Sequence, residues 1–215
     1  MNARKTSPRV RVLAVAATGL LLGAGAAAET PSLSIELANN SAREQATKEQ
    51  LERLLKQYDL SRWIFTKTVR IDQTMRPHSH PVLTLNTRHN GKDPHVLADF
   101  LHEQIHWFVA DNFGDGRKAI ADVTKMYPDA PDALGAGGSG TQASTYLHVI
   151  VCDLEFESVK ALLGAEAAET VIRESIAEGQ SAGLGYFWIY QKVLDDQETL
   201  KAVIKKHKLA PPGLP

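Results

Sequence analysis

Residues 100 to 109 of this chain read Phe-Leu-His-Glu-Gln-Ile-His-Trp-Phe-Val, and no other stretch packs as much potential chemistry into so few positions. On a helix, residues four apart lie one above the other. His102 and His106 can therefore turn their imidazole nitrogens to one point, at the roughly 2.0–2.1 Å that zinc takes from histidine. Glu103 stands beside that point, where a carboxylate can serve as general base toward water. The apolar neighbours Phe100, Leu101, Ile105, Trp107 and Phe108 imply that this helix is drawn into the interior, where unpartnered imidazole and carboxylate groups are costly.

A catalytic zinc site usually takes three protein ligands and keeps one position for water. The third candidate comes from a long helical pattern beginning near Gln142, on which His148, Cys152 and Glu155 share a face with Val159 and Leu162. Asp153 and Glu157 fall on the opposite side and read as solvated charges. Spacing leaves Glu155, His148 and Cys152 all open as ligands, although Cys152 also reads as a small buried apolar residue.

The His102-Glu103-x-x-His106 segment resembles the active-site helix of the zincin metallopeptidases. The resemblance covers about residues 82 to 160 and rests on this one motif. It implies a zinc ion (Zn2+) held by His102 and His106, with Glu103 as the general base. The gluzincin branch takes its third ligand from a glutamate on a downstream helix, which implies Glu155 as ligand, with His148 ahead of it as a donor to the oxyanion of the transition state. The chain departs from that branch where an aspartate often stands four residues after the ligand, since Val159 occupies the position. The resemblance further implies a peptide or protein substrate, bound along the edge of a strand near the active-site helix, a place matched here by Val82 to Thr87.

Several elements must position these residues. Ala42 to Tyr58 has Leu51, Leu54 and Leu55 at helical spacing, and Trp63 to Ile71 and Val82 to Thr87 read as strands forming an antiparallel pair. Asp93-Pro94 is a helix-start signal, with Asp93 placed to cap a helix running to about Asp111. Residues 112 to 140 read as loop with a short helix around Arg117 to Met126, and the run from Leu134 to Gly140 as a flexible border to the site. Helices are expected from Gln142 to Leu163 and Ala165 to Ala177, a buried strand at Tyr186 to Tyr190, and a closing helix from Asp196 to Lys206. The fold expectation is α+β, a mainly helical single domain with a small antiparallel sheet on the helix of His102.

Of the remaining histidines, His78, His80 and His89 sit in predicted turns and read as exposed, with His78 and His80 a weak accessory metal pair. His95 and His207 have no partner that the sequence names. Tyr146, Tyr186 and Tyr190 could donate to an oxyanion but read as core.

Composition bounds what such a site could serve. Arg4, Lys5, Arg9 and Arg11 precede the apolar run Val12 to Gly25, and Ala26-Ala27-Ala28 offers a signal-peptidase site. Residues 1–28 are thus expected to be a cleaved signal peptide and residues 29–215 one exported domain, periplasmic or secreted, with no stable membrane insertion. Losing those four basic residues takes the net charge from −1 to −5, which gives no reason to bind nucleic acid. The single cysteine, Cys152, excludes an internal disulfide. The reading is an exported zinc-dependent hydrolase acting on peptide. Its rival is a non-catalytic exported zinc-binding or scaffold protein, which has no use for Glu103. The oligomeric state is not legible.

Overall fold

The computed structural model describes residues 32 to 214; the expected signal peptide lies outside them. The elements run β1 (Ser34–Leu37), α1 (Ala42–Gln57), β2 (Thr68–Ile71), β3 (Leu83–Leu85), α2 (Asp93–Asp111), α3 (Phe113–Met126), α4 (Gln142–Leu163), α5 (Ala165–Ala182), α6 (Phe187–Asp195) and α7 (Gln197–Lys206), with single 3-10 turns at Ser61–Trp63 and Leu134–Ala136. The mainly helical α+β architecture agrees with the sequence, and none of the described helices is long and apolar enough to cross a membrane.

The long helix α4 organises the molecule. Val149, Ile150, Val151, Cys152, Leu154 and Phe156 are all buried, so apolar residues occur all round it, the pattern of a helix enclosed by others. It packs against α2, α3, α5, α6 and α7. Thr141 starts it by accepting from the Ser144 N–H, and Gly164, at φ 90°, ends it in a conformation that disfavours a side chain. Asp153 is consequently buried, at 3 % exposure, and not a solvated charge as its face suggested. Burial pushes its carboxyl up to about 8.

The sheet differs from the expected pair in strand count and direction. β1 was not foreseen. It pairs parallel to β2, and β2 pairs parallel to β3, in the order β1-β2-β3. Residues 72–82 do not make a hairpin because Asp72 folds back on itself, its carboxylate accepting from the Thr74 N–H and hydroxyl. The chain then passes along the outer edge of β3. There His78 exchanges both backbone hydrogen bonds with Thr84, at 3.1 and 2.8 Å, so the edge expected to take an extended peptide is occupied at Thr84 by the chain's own backbone.

Helix α1 opens on a capping box between Ser41 and Glu44. Glu44 is fully buried, yet hydrogen bonds from Asn39, Ser41 and Gln73 outweigh that burial and hold its carboxyl below the usual range. α2 starts at Asp93 as expected, but Asp93 does not cap it. Its carboxylate takes Gln50 Nε2 at 2.8 Å and both Arg53 terminal nitrogens at 2.9 and 2.7 Å, tying α2 to α1. α3 begins a turn earlier than expected and follows α2 through Asn112. The expected strand at Tyr186 to Tyr190 is the start of α6, with Ile189 and Val193 buried on its inner face. Aromatic strand propensity yields there to packing against α4 and α5.

Candidate metal centre

Two helices bring the sequence-predicted residues together. α2 supplies His102, Glu103 and His106, and α4, packed against it, supplies His148, Cys152 and Glu155. Two groupings could hold a metal ion. In one, His102, His106 and His148 each offer a nitrogen; in the other, His102, Cys152 and Glu155 offer ligand atoms. Within each grouping the atoms lie within 4.8 Å of one another. The imidazoles of His102 and His106 are 5.0 Å apart between ring centres, those of His106 and His148 4.8 Å, and those of His102 and His148 5.6 Å.

Hydrogen bonds on the far sides of two of these rings fix how they can act. His102 Nδ1 donates to Glu155 Oε2 at 2.8 Å, and His148 Nδ1 donates to the Ser144 carbonyl at 2.8 Å. Each bond uses Nδ1 and leaves Nε2 for another partner, the arrangement by which outer groups orient metal-binding histidines. Glu155 is itself held by the Tyr190 hydroxyl, at 3.2 and 3.1 Å from its two oxygens. The ring of His106 makes no hydrogen bond among the described residues.

Charge in the cluster follows from burial. Burial opposes a proton on His102, but hydrogen bonds with Cys152 and Glu155 outweigh it and raise its pKa well above 6.5. Burial, then the neighbouring His102, lowers His148 to about 4 and drives His106 down likewise, with His148 adding to the effect. The Cys152 thiol is pushed up to about 11 by burial. That leaves a small neutral residue, poorly suited to give thiolate unless a cation drives the proton off. The carboxyl of Glu103, 5 % exposed, is raised by burial to about 7, the poise of a group that exchanges protons near neutrality. It makes no hydrogen bond among the described residues.

A cleft of about 350 Å³ reaches this cluster. His102, Glu103, Glu155 and Tyr186 line it, together with Arg88, Asp99 and Glu178. His106 and His148 stand beside it, outside the lining. The hydroxyl of Tyr186 lies 3.1 Å from His148 Nε2. This tyrosine and Tyr190 were read as core. Their spacing of four residues, like that of the histidines, was the signal that a helical reading of the segment would have used.

Leu134 also lines the cleft, but the glycine-rich segment after it is packed rather than open. Thr145 Oγ1 accepts from the Ser139 N–H at 2.9 Å, and Gly137, at φ 82°, lies against the start of α6 so closely that a Cβ would meet Trp188 N at 2.5 Å. Of the histidines expected to be exposed, His80 is, stacked on Trp107 at 4.2 Å, whereas His78 is half-buried and His89 buried. His207 has a partner after all, Asp122, at 2.8 Å. His78 and His80 do not belong to any metal-binding group among the described residues.

No protein-family model matches this sequence, and no curated protein or solved structure matches it either.

Proposed function

We propose that this chain is an exported zinc-dependent hydrolase acting on peptide bonds, with His102, His106 and His148 as the ligands and Glu103 as the general base. The observation that carries the reading is the meeting of three imidazoles from two helices beside a buried carboxyl, with His102 and Glu103 opening onto a cleft. The three-histidine set is favoured over the set with Glu155 because Glu155 already accepts from His102 and Tyr190. It serves better as the group that orients His102. Three imidazole nitrogens suit zinc, which would supply a Lewis acid that acidifies water and polarises a carbonyl.

Glu103 takes the proton of the attacking water and returns it to the leaving amine, a double use that its raised pKa favours. The Tyr186 hydroxyl, 3.1 Å from His148 Nε2, would be free with a metal held by His148 to donate to the substrate oxygen as that oxygen gains charge. Burial of the pocket end keeps bulk water from competing with these bonds. The zincin resemblance of the α2 motif supports the same assignment of His102, Glu103 and His106.

The test pairs metal content with turnover. Protein carrying residues 29–215 is expected to hold zinc and cleave members of a peptide library. Glu103→Gln should keep the zinc and lose cleavage, and His106→Ala should lose cleavage together with the zinc held at this centre. Zinc retained with no cleavage by the native chain would favour the non-catalytic binding protein instead.

A further inference from the structure

A second group of histidines and carboxylates lies apart from the residues assigned above: His89, His95 and Glu178 line the same cleft, and Glu174 lines a neighbouring one. His89 precedes α2 and His95 stands in its first turn. Their rings are 4.8 Å apart, and both side chains are buried, at 7 % and 5 % exposure for the residues. Facing them from α5, one turn apart, are Glu174 and Glu178, each about half exposed.

The hydrogen bonding of this group is incomplete in a specific way. Asp99 Oδ2 accepts from His89 Nδ1 at 2.9 Å. Asp99 Oδ1 also accepts from Arg88 at 2.6 Å, which holds the carboxylate in place against the His89 ring. The other nitrogen, Nε2, faces Glu178 Oε2 at 4.0 Å, too far for a hydrogen bond. His95 Nε2 is buried and lacks a hydrogen-bond partner, although Glu174 Oε2 stands 3.2 Å away. A buried polar atom left in this state asks for a ligand.

We propose that His89, His95, Glu174 and Glu178 form a second divalent-cation site, of the zinc type, that clamps the start of α2 to α5. Two neutral imidazoles and two carboxylates balance the charge of a divalent ion, and nitrogen with carboxylate oxygen is an accepted zinc donor set. Asp99 stands behind His89 as Glu155 stands behind His102, orienting the ring for a metal. The four do not stand within ligand range of one point as they are; the imidazoles are fixed by packing, and the half-exposed glutamates have to swing inward to share an ion. Lys92 Nζ, now 3.0 Å from Glu178 Oε1, is a half-exposed side chain that gives way.

This site does not depend on the hydrolytic reading, and the experiment separates the two. Zinc binding to the His106→Ala chain is followed by titration calorimetry and by the thermal midpoint, beside the same chain carrying Glu174→Gln and Glu178→Gln, and a third version carrying His95→Ala. The His106→Ala chain is expected to bind one zinc and to melt higher with it. The double glutamine variant, altered only at exposed positions, should fold alike, bind no zinc and show no rise; His95→Ala should behave the same way. The proposal is overturned if the His106→Ala chain binds no zinc, or if its zinc survives both sets of changes.

Discussion

At the scale of single residues, the decisive one is Glu155, which the gluzincin resemblance offers as a ligand and whose hydrogen bonds suit a supporting role. Its carboxylate takes His102 Nδ1 on one side and Tyr190 on the other, and loss of such a support typically weakens metal binding about 10–100-fold. In a chain already carrying Glu174→Gln and Glu178→Gln, Glu155→Gln is therefore expected to lower zinc affinity by that order while one ion still binds at saturation. In the same background His148→Ala should abolish tight binding. Chelator competition on the two variants checks this. Tight binding that survives in His148→Ala but fails in Glu155→Gln and Cys152→Ser would move the ion to the His102–Cys152–Glu155 grouping.

Among the elements, α6 has to be placed accurately because it begins immediately after Tyr186 and carries Tyr190. Gly137 sets its position. A side chain there would require positive φ from a residue other than glycine and would meet Trp188 N and the Phe187 ring, at 2.5 and 2.7 Å. Backbone strain of that kind costs about 1–3 kcal/mol. Gly137→Ala is expected to lower the thermal midpoint accordingly and to depress turnover more than metal content, since it displaces Tyr186 while leaving α2 and α4 joined. Unchanged melting and turnover would show that the glycine-rich segment does not hold α6 in place.

For the molecule as a whole, enclosing α4 on every side leaves a titratable group within the core. Asp153 holds its proton up to about 8 in the fold, against an ordinary value of 3.8 in the open chain. Between those values the folded state binds a proton that the unfolded state has given up. Stability from this group therefore falls as pH rises through that window and levels off above about 8, with a slope of at most about 1.4 kcal/mol per pH unit. Asp153→Asn removes the ionisation, so denaturant titrations from about pH 5 to about pH 8 should show the variant gaining steadily on the native chain. Parallel pH profiles would mean that Asp153 finds a partner that keeps its charge.

Patterns with a short period could be read in the amino-acid sequence. The spacing of His102, Glu103 and His106, the common face of His148 and Glu155, and the limits of α1, α2 and α4 follow from the 3.6-residue helical repeat and from local start and stop signals, which act within a few residues. Contacts between distant segments could not be read. The direction of β2 against β3 depends on β1 and on the path of residues 72–82. The helical state of Phe187 to Asp195 depends on α4 and α5. The burial of Asp153, His89 and His95 depends on how many helices surround them. Above all, spacing alone left Glu155, His148 and Cys152 all open as ligands, because a helical face fixes the direction of a side chain but not what meets it. Only the packing of α2 on α4, with Tyr190 beside Glu155, gave the three residues different surroundings.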